Sequence, residues 1–135
     1  MRTSTIVVEI PANVKVIWDI VTDNENTTWR SDLSKVEVID DKEFVEYTNK
    51  GIATKFTIEA KNPYEYYAFS FGNENMRGLW HGKFEPINDN LTKLEFVEEI
   101  TIKNRVLEIL SILFFPIKKM QKQYMRDLQM EILKK

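Results

Sequence analysis

The sequence has no cysteine and only one histidine, His81. Without cysteine there can be no disulfide scaffold, no thiolate metal site and no cysteine nucleophile. A single histidine rules out a histidine-rich metal centre and argues against a Ser-His-Asp catalytic triad. Neither glycine-rich phosphate-binding motif, GxGxxG or the P-loop, is present. We therefore expect neither a metal ion nor a cofactor.

Long apolar runs and a strong charge of either sign are also missing. The longest apolar stretch, 109–117, is far shorter than the roughly 20 residues of a membrane span, even with Ser111 and Pro116 included. Glu9 and Pro11 interrupt the N-terminal segment, so it lacks the core of a secretory signal. The net charge of −2 gives no reason to expect nucleic acid as a partner. We expect a soluble cytoplasmic protein.

Glycine and proline are scarce, at four residues each, and they occur singly. No stretch has the composition of a linker, and there is no internal repeat or low-complexity tract. A chain of 135 residues with 43% hydrophobic residues can bury a sizeable core. The prediction is a single domain over residues 1–135.

The first 102 residues have the patterns of one short helix and seven strands. Residues 3–10 are rich in β-branched side chains and predict a strand that ends at Pro11. Asn13 is a candidate N-cap for a helix over 14–21. Further strands are predicted where apolar residues recur at every second position, in segments joined by turns too short for parallel crossovers: 36–39, 44–48, 52–59, 67–71, 78–85 and 94–102.

The last segment, 104–135, has a helical pattern that only Pro116 interrupts. Apolar residues recur there in steps of three and four, which predicts a helix of about 45 Å with a kink at Pro116. The stripe consists of Val106, Leu110, Leu113, Ile117, Met120, Tyr124 and Leu128. The element order predicts an α+β domain in which a curved antiparallel sheet is covered by one long helix.

Several short motifs resemble those of the START and birch-pollen-allergen (SRPBCC) superfamily, in particular its polyketide cyclase/dehydrase and lipid-transport type. The resemblance covers the whole chain by topology and implies the helix-grip fold, in which the sheet wraps around the long C-terminal helix. Members include carriers, cyclases, hydrolases and protein-binding modules, and they share no catalytic motif. The motifs here are Ile10-Pro11-Ala12, Ile17-Trp18, Asp23, Trp29 and Gly82-Lys83-Phe84-Glu85-Pro86.

A sheet wrapped over a helix leaves an apolar space that suits a small hydrophobic ligand. Gly78 and Gly82 lie on the same face as Trp80 and leave room there for a ligand or for closer packing of the helix. The alternative is that the inward side chains pack only against one another. The predicted lining is Phe56, Ile58, Phe69, Phe71, Trp80, Phe84, Phe96, Leu110, Leu113 and Ile117.

Glu98 is the most unusual polar residue, because it shares its strand face with Phe96 and Ile100. A carboxyl group in an apolar site has a raised pKa. Glu98 is therefore a candidate general acid or base, or a partner for a ligand hydroxyl or amine. The alternatives are a β-bulge that turns it to solvent, or a basic partner. His81 has the opposite parity to Trp80 and is predicted to lie on the solvent face.

The C-terminal segment is basic, since 103–135 has eight basic and three acidic residues. It also carries apolar residues beyond its main stripe: Leu107, Ile109, Ile112, Phe114 and Phe115. Strand ends and loops are one way to cover these residues. The alternatives are a homodimer contact or docking on an anionic membrane surface.

Three functions remain open at this point. The first is binding of a small hydrophobic molecule such as a lipid, an isoprenoid or a polyketide, for transport or sequestration. The second is an enzyme of the cyclase or hydratase type that acts on such a molecule through Glu98. The third is a protein-interaction module. A single inward acid gives the enzyme hypothesis less support than the binding hypothesis.

Overall fold

The computed structural model of the chain describes residues 1–105 and 116–135. Within these residues, one short and one longer helix accompany seven strands. The elements in chain order are β1 (Arg2–Ile10), α1 (Val14–Thr22), β2 (Leu33–Val38), β3 (Glu43–Thr48), β4 (Ala53–Asn62), β5 (Tyr66–Gly72), β6 (Met76–Asn88), β7 (Leu91–Ile102) and α2 (Ile117–Leu133).

The seven strands form a single sheet in the order β1-β7-β6-β5-β4-β3-β2. Every neighbouring pair is antiparallel, so consecutive hairpins run from β2 to β7 and β1 pairs with β7 at the far edge. Short turns allow this arrangement, whereas parallel neighbours would need long crossovers. With α1 after the first strand and α2 at the C-terminus, the predicted α+β helix-grip architecture is confirmed.

Helix α1 begins where its N-cap predicts. The Asn13 side chain accepts a hydrogen bond from the backbone N–H of Lys15 at 2.9 Å, which satisfies a free donor of the first turn. Ile17, Trp18 and Val21 are buried as their helical spacing indicates. Trp18 meets Phe84 of β6 edge to face, with ring centroids 4.9 Å apart. This contact fixes α1 against one end of the sheet.

The prediction of one continuous helix through Pro116 was wrong. Pro116 has φ −75° and ψ 93°, which is extended backbone, and α2 begins at the next residue. Proline lacks the N–H that a helix interior requires, and Pro116 accordingly stands at the N-cap of α2 rather than inside a helix. The 17 residues of α2 span about 26 Å. Val106, Leu110 and Leu113 of the predicted stripe lie outside the described residues.

The buried face of α2 also differs from the predicted stripe. Ile117 and Leu128 are buried as expected, but Met120 is 46% exposed, and Gln121 and Met125 are buried instead. Gln121 is held against β1 by two hydrogen bonds with Ser4. The Ser4 hydroxyl donates to Gln121 Oε1 at 2.7 Å, and Gln121 Nε2 donates to the Ser4 carbonyl at 3.0 Å. An apolar pattern cannot reveal this contact, because it is polar.

Candidate functional site

A cavity of about 500 Å³ lies along the inner face of the sheet. Its walls come from the strands, from the loop that follows α1 and from α2. Six of the residues predicted to bind a ligand line it: Phe56, Phe69, Phe71, Trp80, Phe96 and Glu98.

Three other predicted lining residues are packed in the core outside the cavity. Phe84 is buried against Trp18, and Ile117 is buried in a cluster with Phe44 and its neighbours. Ile58 packs between the cluster of Trp18 and Phe84 and the cluster of Phe44 and Ile117, next to a register shift in β4. Strand parity assigns a residue to a face, but it does not tell which parts of that face the helices cover. Leu110 and Leu113 fall outside the described residues.

Aromatic rings form the main apolar wall of the cavity. The rings of Trp80 and Phe69 are stacked, with centroids 4.7 Å apart and planes 9° apart. The Phe96 ring meets the Trp80 ring edge to face, with centroids 4.7 Å apart. Phe44 and Phe56 stack in the same way at 5.0 Å. Offset-stacked and edge-to-face pairs are the arrangements that aromatic quadrupoles favour. The wall is therefore fixed by its own ring contacts and presents flat apolar surface to the cavity.

The two glycines of β6 do not create the free space that the sequence suggested. A Cβ atom at Gly78 would lie 2.2 Å from the Phe71 ring, and one at Gly82 would lie 2.8 Å from the rings of Phe96 and Trp80. Aromatic side chains from the neighbouring strands already occupy the volume above each glycine. The absent side chains let rings approach the backbone closely, and the cavity lies elsewhere.

Glu98 lies on the inner face of β7 and lines the cavity. It pairs in regular register with Trp80 on one side and Ser4 on the other, so there is no bulge at this position. Among the described residues its carboxyl group has no hydrogen-bond partner. Burial raises the pKa of Glu98 to about 7, the negative charge of Glu46 adds to this effect, and the positive charge of Arg30 opposes it.

A second set of polar side chains in the cavity surrounds Arg30, which lies in the loop after α1. Its guanidinium binds both carboxylate oxygens of Asp32, at 3.1 and 2.8 Å, and one oxygen of Glu46 at 3.1 Å. It also lies over the ring of Tyr124 in α2, 5.0 Å from the centroid. Burial works against its charge, but the carboxylates of Glu46 and Asp32 more than offset this and raise the pKa of Arg30 above its ordinary value.

The other titratable side chains near Arg30 are also shifted by burial. Burial raises the pKa of Glu46, and the adjacent Arg30 only partly offsets this. Burial likewise raises the pKa of Tyr124 and of Tyr67. Asn24 Nδ2 donates a long hydrogen bond of 3.5 Å to the Tyr67 hydroxyl. The lining of the apolar cavity thus includes the Arg30 cation, the carboxyl groups of Asp32, Glu46 and Glu98, and two phenols.

Sequence reasoning missed the Arg30, Asp32 and Glu46 group. Glu46 could have been found by parity, since it lies two residues after the buried Phe44 on the same face of β3. Arg30 and Asp32 lie in an irregular segment without periodicity, so no pattern indicates where their side chains point. Tertiary contacts of this loop with α2, such as the two hydrogen bonds that Ser31 donates to Asp127, hold these residues at the cavity.

His81 lies apart from the cavity, on the outer face of the sheet between Ala68 and Val97 of the adjacent strands. Its ring is 6.0 Å from that of Tyr66. Nδ1 is buried and has no hydrogen-bond partner in the described part of the chain. Within residues 1–105 and 116–135, no group of three or more histidine, aspartate or glutamate side chains is arranged to hold a metal ion. None of the helices in those ranges combines the length and apolar character needed to cross a membrane.

Known structures share this architecture over the full chain. A conserved protein from Geobacillus kaustophilus superposes with a TM-score of 0.83 at 17% identity, covering 98% of this chain and 96% of that chain. A START superfamily protein from Mycobacterium smegmatis gives 0.79 at 11% identity, covering 98% and 97%. Norcoclaurine synthase from Thalictrum flavum, in complex with dopamine and hydroxybenzaldehyde, gives 0.74 at 10% identity, covering 98% and 87%.

No protein-family model matches the sequence, and no curated protein matches it. At identities between 10% and 17%, the structural similarity establishes the fold. The chain has the helix-grip fold of the START and birch-pollen-allergen superfamily, as the sequence motifs predicted.

Proposed function

We propose that this protein binds a small, mainly apolar molecule in the cavity between the sheet and α2, in the cytoplasm. The observation that carries the proposal is a mainly apolar cavity of about 500 Å³ whose lining also includes polar side chains. That volume is typical of sites for small molecules, and such sites usually combine apolar walls with a few orienting polar side chains. A lipid, an isoprenoid or a polyketide has the matching chemistry.

The fold supports the same proposal. One of the structures that share it is a synthase holding dopamine and hydroxybenzaldehyde, which are small aromatic molecules. The aromatic wall of Phe69, Trp80 and Phe96 offers such molecules, and aliphatic ones, a flat apolar surface. An empty cavity of this kind leaves apolar walls without contacts, and a ligand would supply them.

The proposal is tested with the neutral dye Nile red, whose fluorescence rises in apolar surroundings. Thr54 of β4 is buried and lines the cavity, so Thr54→Phe places a ring in the space that a ligand would use. We expect the affinity for the dye to fall at least about tenfold, which corresponds to about 1.4 kcal/mol. The melting temperature should stay near that of the wild type, because the ring enters empty space.

Thr57→Phe is the matched control. Thr57 lies on the same strand but on the opposite face, where it lines an outer groove with Lys55 and Arg77. The control should bind Nile red like the wild type. If Thr57→Phe weakens dye binding and Thr54→Phe does not, the dye binds the outer face and the proposed cavity is not the binding site.

Catalysis on the bound molecule is the second candidate function. A pKa of about 7 for Glu98 lies in the range where a carboxyl group can both donate and accept a proton at neutral pH. Native mass spectrometry of gently purified protein separates the two functions. A carrier should release its co-purified molecule with an unchanged mass. An enzyme should change the mass of the bound molecule on prolonged incubation, and the Glu98→Gln variant should not.

Contact of the C-terminal helix with an anionic membrane is a further part of the proposal, since a carrier must load and release its ligand. In α2, the basic residues Lys118, Lys119 and Lys122 are exposed, and so are Met130 and Leu133. Basic residues beside exposed apolar ones favour an anionic lipid surface. Co-sedimentation with phosphatidylserine vesicles tests this contact. A homodimer through the same helix is the alternative, and it would appear as a doubled mass in analytical ultracentrifugation.

A further inference from the structure

The surroundings of Glu98 indicate what chemical group the ligand carries, if the cavity is a binding site as proposed above. Glu98 stands in a row of inward side chains that crosses four strands: Phe69, Trp80, Glu98 and Ser4. Phe69 and Trp80 stack on each other, so the carboxyl group is next to a broad aromatic surface. The carboxylate attracts a cation by its charge, and the adjacent rings offer apolar surface to the rest of the ligand.

The polar neighbours of Glu98 are already engaged with other groups. The Ser4 hydroxyl and the Gln121 side chain are hydrogen-bonded to each other. The Arg30 guanidinium is divided between Asp32 and Glu46. Within the part of the chain that the structure describes, no hydrogen bond reaches the Glu98 carboxyl group, which faces the cavity.

The charges that line the cavity leave an excess of negative charge when all are ionised. The cations among the described lining residues are Arg2 and Arg30, and the carboxylates are Asp32, Glu46 and Glu98. Two positive and three negative charges sum to −1. An anionic ligand would meet repulsion at Glu98, whereas a cationic one would neutralise the excess.

We propose that the ligand is an amphiphilic amine whose ammonium group binds the Glu98 carboxylate, while its apolar body lies along Phe69 and Phe96. The ammonium supplies the missing donors, and three N–H groups are available on it. The head group of the ligand is thus an ammonium, and its apolar body is either aliphatic or aromatic. It rests on the cavity being the binding site.

Three probes with the same eight-carbon chain test this inference: octylamine, octanol and octanoate. Each displaces Nile red from the wild-type protein, and the inhibition constants are compared near pH 8. We expect octylamine to bind at least about tenfold more tightly than octanol, because its ammonium carries a charge opposite to that of the Glu98 carboxylate and the octanol hydroxyl is neutral. Octanoate should bind more weakly than octanol, because its carboxylate meets Glu98.

Glu98→Gln is the decisive variant, since it keeps the shape of the side chain and removes its charge. It should abolish the preference for octylamine over octanol, because the glutamine amide has no negative charge to attract the ammonium. Glu99→Gln makes the same chemical change on the outward-facing neighbour in β7 and should keep the preference. Thermal melts of both variants show whether each is folded at the assay temperature.

The pH dependence gives a second readout that a change in packing would not produce. Octylamine binding should weaken as the pH falls from about 8 to about 6, because Glu98 gains a proton, and octanol binding should not. The same cavity holds other titratable groups on each of the surrounding elements, and their variants would locate any residual dependence: Arg2 of β1, Arg30 and Asp32 of the loop after α1, Glu46 of β3, Tyr67 of β5 and Tyr124 of α2.

The possible failures are distinguishable. If octanol and Nile red bind in the cavity but octylamine shows no advantage, or keeps its advantage in Glu98→Gln, the amine inference is wrong and the proposed function stands. A preference for octanoate would likewise overturn it. If none of the probes binds to the folded wild-type protein, the proposed function fails and the amine inference fails with it.

Discussion

Glu98→Gln should make the protein more stable at neutral and alkaline pH, because it replaces an inward carboxyl group by an amide that cannot ionise. The carboxyl group lies in an apolar cavity and has no hydrogen-bond partner among the described residues. Burial raises its pKa from 4.5 to about 7. The ionised form is therefore unfavourable in the folded protein, and glutamine has no ionised form.

The sign and size of the effect follow from linkage between proton binding and folding. Because the folded-state pKa is higher, the folded protein retains the Glu98 proton over a range in which the unfolded chain has lost it. The free energy of unfolding therefore decreases as the pH rises from about 4.5, and the loss is complete above about 7. The difference between those two pKa values corresponds to at most about 3 kcal/mol.

Urea unfolding of wild type and Glu98→Gln, followed by tryptophan fluorescence, measures this at several pH values from about 5 to about 8.5. Glu46 also has a raised pKa and contributes to the wild-type curve, but it is present in both proteins and cancels in the difference. The variant should gain about 2–3 kcal/mol on the wild type across this range. Glu99→Gln is the control and should follow the wild-type curve.

Parallel stability curves for the two proteins would refute this prediction, because Glu98 would then titrate alike in the folded and unfolded states. A variant that becomes less stable relative to the wild type as the pH rises would also refute it. That result would mean that the carboxylate is stabilised in the folded protein by a charge or a donor.

Two further changes test other parts of the site. Arg30→Met removes the only cation that contacts Asp32 and Glu46 among the described residues, and it should cost about 3–5 kcal/mol in urea unfolding at neutral pH. A loss below about 1 kcal/mol would mean that solvent reaches Glu46 freely. Gly82→Ala places a Cβ atom 2.8 Å from two aromatic rings and should cost about 1–3 kcal/mol by the same measurement. An unchanged midpoint there would show that the rings of Trp80 and Phe96 can shift at no cost.

For α2, the apolar pattern predicted only part of the buried face correctly. An apolar stripe describes a helix that packs through apolar contacts alone, and it predicted Ile117 and Leu128 correctly. It placed Met120 inside and omitted Gln121, because Gln121 is held by hydrogen bonds to β1 that hydropathy does not register. It also extended the helix through Pro116, where the backbone is extended.

Some residues of the candidate site could be predicted from the local sequence pattern, and others could not. Glu98 was identifiable because its neighbours at every second position are apolar, so its parity alone directs it inward. Ile58 and Phe84 have the same kind of parity but lie in the core, since the position of α1 and the register of β4 decide which part of the face is left uncovered. The Gly78 and Gly82 positions looked like open space and are filled by rings from neighbouring strands.

The order of the elements, the antiparallel sheet and the face on which each strand residue lies were predictable from the amino-acid sequence. These depend on local periodicity, on turn residues and on short connections, all of which can be read from neighbouring positions. The position of the cavity, and the meeting of Arg30, Asp32 and Glu46 beside it, could not be predicted in this way. That meeting depends on how α1, the loop after it and α2 pack over the sheet, and such contacts between distant residues leave no period in the chain.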